Sequence, residues 1–229
     1  MTELLLTEEV FLLGHDDESG KNRMTDRTAA LAGALLLDLA LADLIEVEGK
    51  KIVPGAGRPE HALLADALQA ITAEKKHRSV STWLTLLPSR LKGLDKHVGR
   101  ALAERGILGE EKAEVLGIFP STRWPERDPM PERQLRARLT DVLLERAEPA
   151  ADDIALIALL QSHSMIGGVV DKPDRKQARK TAEVLRKQAE KGDVVSKAVG
   201  QAVRATQAAV MASVIAASAA ASTAAVTGN

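Results

Sequence analysis

The sequence contains no cysteine and no tyrosine, and its aromatic residues are four: Phe11, Trp83, Phe119 and Trp124. Without cysteine there can be no disulfide, no thiolate zinc or iron–sulfur site and no cysteine nucleophile. With so few rings, Leu, Ala, Val and Ile must build the core, a composition that favours helices over β-sandwiches. An excess of charge of either sign is also missing: 31 Lys and Arg stand against 32 Asp and Glu, a net charge of −1. No global field draws the chain to nucleic acid or membrane, so any such attraction must be local. The opening MTELLLTEEVFLL lacks the basic region of a secretory signal, and Glu3, Glu8 and Glu9 interrupt its apolar run. The expected setting is the cytoplasm.

What is present is helical patterning over most of the 229 residues, of which 45% are hydrophobic and 28% charged. That length and balance fit one domain, spanning 1–229, with a substantial core. Residues 4–13 read as a short buried helix, with Thr7 as its N-cap and Glu8 and Glu9 in the first turn. Residues 25–44 are apolar on nearly every side, the mark of a central helix buried all round. Alternation in IEVEGKKIVP predicts a small hairpin. Further helices are expected at 60–75, from Ser79 or Ser81 to near Pro88, at 93–105 ended by Gly106, and at 131–146, 150–166 and 174–191. ILGEEKAEVLGIFPSTRWPERDP reads as a second hairpin, whereas GGVVDKPDRK reads as loop. Residues 205–229 carry no charge but are mostly Ala, Ser and Thr. They are too weakly apolar for a membrane span and read as a small-residue helix for packing or subunit contact. The expected fold is mostly α: a single globular domain around a buried central helix, with small β-hairpins.

Catalytic and metal-binding patterns do not assemble. His15, His61, His77, His97 and His163 fall in no ligand spacing, and HDDESG lacks the spacing of a calcium loop. Gly14 to Lys21 has five residues between its glycines instead of the four of a phosphate loop, and acids where the phosphate would sit. Ser164 has no nucleophile elbow around it. No enzyme activity, cofactor or metal is expected. Cations are more informative: Lys21, Arg23 and Arg27 precede or open the central helix, Arg90, Lys92, Lys96 and Arg100 lie together, and Arg123 and Arg127 flank Trp124. A Trp beside arginines on a hairpin suits the membrane interface, where the ring is half buried and its N–H stays wet.

LLLTEEVFLLGHDDESGK, GALLLDLALADLIEVEGKKIV, LAERGILGEEK, VLGIFPSTRWP, RQLRARLTDVLLE and DDIALIALLQSHSMI follow one another in an order that resembles the Golgi phosphoprotein 3 family, across nearly the whole chain. The resemblance implies a mostly helical domain and a peripheral membrane protein. Such a protein would bind phosphatidylinositol 4-phosphate through a basic pocket, aided by an apolar hairpin dipping into the bilayer. It further implies an adaptor role toward cytoplasmic tails of membrane proteins, and no catalysis. The family's pocket uses a Trp and an Arg near the start of the central helix, positions that fall on Arg23 and Ala32. Two arginines from the helix before the hairpin fall on Lys92 and Asp95.

The expected headgroup residues are therefore Lys21, Arg23, Lys92 and Lys96, and the expected inserting hairpin carries Phe119, Arg123 and Trp124. The expected partner is an anionic phospholipid with a phosphoinositide-like headgroup, at the inner face of a membrane, with membrane-protein tails and a second copy of the chain as further candidates. Nucleic acid is not among them. One alternative treats the second hairpin as the wing of a winged-helix DNA-binding regulator, with Lys92, Lys96 and Arg100 on phosphates. Another is a scaffold that binds protein tails alone.

Overall fold

The computed structural model describes residues 4–15, 24, 26–48, 50–115 and 119–191, with the backbone alone at 113–115, 119, 120 and 191. Among the described residues it is mostly helical, with two small antiparallel hairpins. Lys21, Arg23 and the charge-free segment at 205–229 lie outside the described residues.

The centre is α2, Arg27–Leu41, in which every residue from Ala30 to Ala40 is buried. Asp26 caps it, its side chain accepting from Ala29 N at 3.1 Å. Around it pack α1 (Leu6–Leu13), α3 (Ala62–Thr72), α4 (Val80–Arg90), α5 (Leu94–Glu104) and α7 (Ala151–Ser162). An outer layer of α6 (Met130–Leu143), the short α8 (Ile166–Val169) and α9 (Arg175–Lys191) closes over α7. The segment expected as loop before α9 thus contains α8 and a 3-10 turn at Lys172–Asp174. α4 runs past Pro88 to Arg90. The proline sits in the last turn and forfeits one backbone bond there, while Leu91 N still reaches Leu87 O at 2.9 Å.

α1 is only eight residues long and wholly buried, so its free N–H groups need partners from elsewhere in the fold. Leu5, not Thr7, is the N-cap. The missing cap is supplied across 32 residues by Asp38 of α2, which accepts from Leu6 N at 2.7 Å, Thr7 N at 3.0 Å and Thr7 Oγ1 at 2.5 Å. Thr7 is drawn inside the first turn by that contact. Glu8 closes the start of the helix by accepting from Leu5 N at 3.0 Å, and pairs with Arg105 at 3.0 Å. Glu9 pairs with Arg138 of α6 at 2.7 Å, and Arg138 also reaches Asp153 at 3.1 Å. Burial pushes the Asp38 carboxyl up to about 7, against the hydrogen bonds from Thr7 and Leu6. Burial likewise raises Glu9 to about 8, with Arg138 pulling the other way and Asp152 and Asp38 adding to the rise.

β1 (Ile45–Glu48) and β2 (Lys51–Pro54) pair from Ile45↔Pro54 to Glu48↔Lys51. β3 (Glu111–Val115) and β4 (Phe119–Arg123) pair from Glu111↔Arg123 at the root to Val115↔Phe119 beside the turn. Past β4 the chain stays tied to the segment after α5, with Gly109 N on Pro125 O at 2.7 Å and Arg127 N on Ile107 O at 3.0 Å. This register corrects the expected position of two residues. Arg123 and Trp124 stand at the root of the hairpin, whereas Phe119 stands near its tip. Trp124 is 2% exposed. Its ring meets Phe11 edge-on at 6.1 Å and lies against Gly99 of α5, where a Cβ would come within 2.5 Å of it. The absence of a side chain at 99 makes the slot that holds the indole. Trp124 is a core residue and does not serve as a membrane-inserting tip.

Three outcomes follow from this packing. Asp38→Ala leaves two buried N–H groups and a hydroxyl unpaired and should cost about 2 kcal/mol or more in urea denaturation. Gly99→Ala should cost about 1–3 kcal/mol by forcing the indole out of its slot, with a red-shifted Trp emission. Because Asp38 and Glu9 are raised above their ordinary 3.8 and 4.5, the folded chain keeps protons that the unfolded chain has released. Their contribution is complete below those values and is lost as pH rises through about 7 and about 8. Denaturation midpoints should therefore fall across pH 4.5 to 8, and Glu9→Gln should flatten the fall.

Candidate functional site

At the start of α2 a half-buried cation lacks a complete set of partners among the described residues. Arg27, the first residue of α2, lays its guanidinium over the Phe11 ring at 4.4 Å. Its Nε and Nη2 are buried without a hydrogen-bond partner among the described residues, although a guanidinium is built to donate through all its N–H groups. His15 packs on the other part of the same ring, with centroids 4.2 Å apart, and its Nδ1 donates to Phe11 O at 2.5 Å. His15 is 3% exposed and its Nε2 also has no partner. Burial, then the Arg27 charge, lower His15 to about 4, so the imidazole is neutral near pH 7. Burial lowers the Arg27 pKa, and the nearby Asp95 carboxylate opposes that. Phe11 thus organises a small site: Trp124 on its edge, His15 and Arg27 against its ring, and the first turn of α5 alongside.

α5 begins abruptly. Lys92 and Gly93 both take positive φ, 21° and 86°, which turns the chain sharply between α4 and α5. Glycine suits that conformation, while at Lys92 it is uncommon for a side-chain-bearing residue. Lys96 and Lys92 are both exposed. Lys96 follows Asp95 on the first turn of α5. Lys92 lines an open depression of about 510 Å³ toward α3, together with Asp66, Gln69, Arg90 and His97. The expected set is therefore not assembled into one site among the described residues: Lys96 is exposed on the first turn of α5, and Lys92 lines the depression toward α3. Arg123, half-buried, pairs through its backbone with Glu111 at the hairpin root. The Phe119 side chain lies outside the described residues.

Sequence reasoning grouped Arg27 with the basic residues but left it out of the site. The available signal was its place directly after the Asp26 cap, where the first turn of a helix gathers unsatisfied N–H groups. What could not be read was the Phe11–Arg27 contact. Among the described residues, no group of three or more His, Asp or Glu is arranged to hold a metal ion. No described helix is long and apolar enough to cross a membrane.

A comparison with curated proteins gives no match. The family model described as Golgi phosphoprotein 3 (GPP34) matches residues 6–206, from the first residue of α1 to beyond α9. The match takes in the central helix, both hairpins and the residues around Phe11, and the chain belongs to the Golgi phosphoprotein 3 (GPP34) family.

Proposed function

We propose that this protein is a peripheral membrane adaptor that holds a phosphoinositide-like headgroup at the start of α2. The GPP34 family is one of non-enzymatic adaptors that bind phosphatidylinositol 4-phosphate, and membership supports the same reading for this chain. The observation that carries the reading to this chain is Arg27, whose Nε and Nη2 are buried without partners beside Phe11. A phosphate oxygen accepting from those nitrogens would complete the guanidinium. Lys96 extends the positive edge from the first turn of α5, Lys21 and Arg23 bring two more cations just ahead of α2 in sequence, and Lys92 adds one from the turn before α5. Because His15 is neutral near pH 7, the described charge of the site is set by Arg27 against Asp95.

The second hairpin supplies the apolar contact, through Phe119 and the Leu-Gly-Ile sequence between its strands. Arg123 at the root reaches toward headgroups, and Trp124 braces the root against α1 and α5. A duplex-DNA surface has less support. Arg100 is engaged by Glu110 at 3.4 Å, and Asp95 and Glu104 interrupt the cations of α5, where backbone phosphates need an uninterrupted positive face.

Co-sedimentation separates these roles. Wild type should pellet with vesicles containing phosphatidylinositol 4-phosphate, less with phosphatidylserine and least with phosphatidylcholine, and salt should weaken it. Arg27→Ala should weaken the first interaction by about tenfold. Asp95→Asn should strengthen it, and Phe119→Ser should reduce pelleting with every vesicle type. Equal, negligible pelleting of wild type with charged and neutral vesicles would falsify the proposal.

A further inference from the structure

A second cavity lies on another face of α5. Residues 95, 99 and 102 follow one another at intervals of four and three and face the Arg27 and Trp124 side. Residues 97, 101 and 104 make a separate stripe, offset by roughly 200°. That second stripe forms one wall of a cleft of about 300 Å³, and α3 forms the other. The volume is at the lower end for a small-molecule site. Its walls are partly apolar, with Ala62 and Leu63 from α3 and Val98 and Ala101 from α5.

Glu8 of α1 also lines this cleft, although it is 1% exposed. Its Oε2 is occupied by Leu5 N and Arg105. Its Oε1 is buried and has no hydrogen-bond partner among the described residues. A carboxylate oxygen left bare in the interior is costly, and a donor entering the cleft would relieve that cost. At the rim stand Asp66 and Glu104, both exposed and with no ion pair among the described residues. Arg105 pairs with Glu8 at 3.0 Å, and Arg100, which also lines the cleft, pairs with Glu110 at 3.4 Å. His61 accepts from Leu63 N through Nδ1 at 3.2 Å, so its ring is held as the cap of α3.

From this convergence we infer that the cleft between α3 and α5 is a binding site for a small aliphatic amine, its ammonium group donating to Glu8 Oε1 and its alkyl chain lying along Leu63, Val98 and Ala101. A diamine fits best, since a second ammonium group can face Asp66 or Glu104 at the rim. The cleft shares Asp66 and His97 with the depression that Lys92 lines, but takes in neither Arg27 nor Phe11.

The test is calorimetric titration of the whole chain with 1,4-diaminobutane and with n-butylamine, alongside amide shifts in α3 and α5. Saturable binding with a Kd of about 1 mM or tighter is expected, with n-butyrate giving no response. Asp66→Asn with Glu104→Gln should weaken the diamine by about twofold to tenfold, and n-butylamine less. Glu8→Gln should weaken both amines. As Glu8 also anchors α1, Ala101→Leu serves as the second probe, filling the cleft from its wall and abolishing binding while the fold is kept. The inference fails if wild type shows no saturable response up to about 10 mM, if butyrate binds as well as the amines, or if Ala101→Leu binds them unchanged. Vesicle pelleting should be the same for wild type and Ala101→Leu, so the two sites stand or fall separately.

Discussion

A short helix buried on all sides is the constraint on which the rest of this structure depends. Eight residues are too few to hold a helix in water on their own propensity, and burial denies α1 the water that would otherwise satisfy its ends. Asp38 resolves this by capping α1 from the last turn of α2. The same contact fixes the rotation of α1, which sends Glu8 toward Arg105 after α5 and Glu9 toward Arg138 on α6. Three carboxylates on or against one helix thus tie together α2, α5 and α6. Each is a buried polar group that would be destabilising without partners. Their hydrogen bonds and arginine partners make them a set of fixed distances between helices, and the apolar core fills the space those distances define.

The site inherits that geometry. Phe11 lies one turn beyond Glu8 and cannot move independently of it, and three separate elements converge on its ring: His15 just after α1, Arg27 at the start of α2, and Trp124 at the hairpin root. In a chain so poor in aromatics, one phenyl ring gives the site its floor. Trp124 in turn couples the hairpin to the same floor, because its indole occupies the slot left by Gly99. The root of the hairpin is thereby held at a fixed position against Phe11 and α5.

Much of this architecture was legible in sequence, since helical periodicity and turn residues depend on neighbours a few positions apart. The all-round apolar character of the central helix, the Ser79 cap of α4 and the alternation of β1 and β2 are local signals, and each corresponds to an observed element. What escaped depends on distance. Thr7 looked like a cap because the acceptor that draws it inward is 31 residues away. Trp124 looked like an exposed tip because prolines and arginines surround it locally, and nothing nearby in sequence reveals the slot at Gly99. The candidate site was legible only in part for the same reason: the cations were visible, but which of them is buried without partners depends on Phe11 and on the first turn of α5.

The exchange of charge between α2 and α5 has a physical sense. The family resemblance puts arginine at the position of Asp95 and at that of Ala32, and here both are gone. Arg27 stands instead on the opposite side of the same gap, with Asp95 opposing the drop in its pKa. Arg27 keeps a positive group at the junction, half-buried and beside a carboxylate. Depth strengthens each hydrogen bond to a bound phosphate, because the local dielectric is low. The carboxylate weakens the long-range pull on any anion that does not reach those nitrogens. The site proposed above would favour a ligand that can insert a phosphate oxygen between α2 and α5 over one that only sees the surface charge, so that discrimination among anionic lipids would come from reach as well as from charge number.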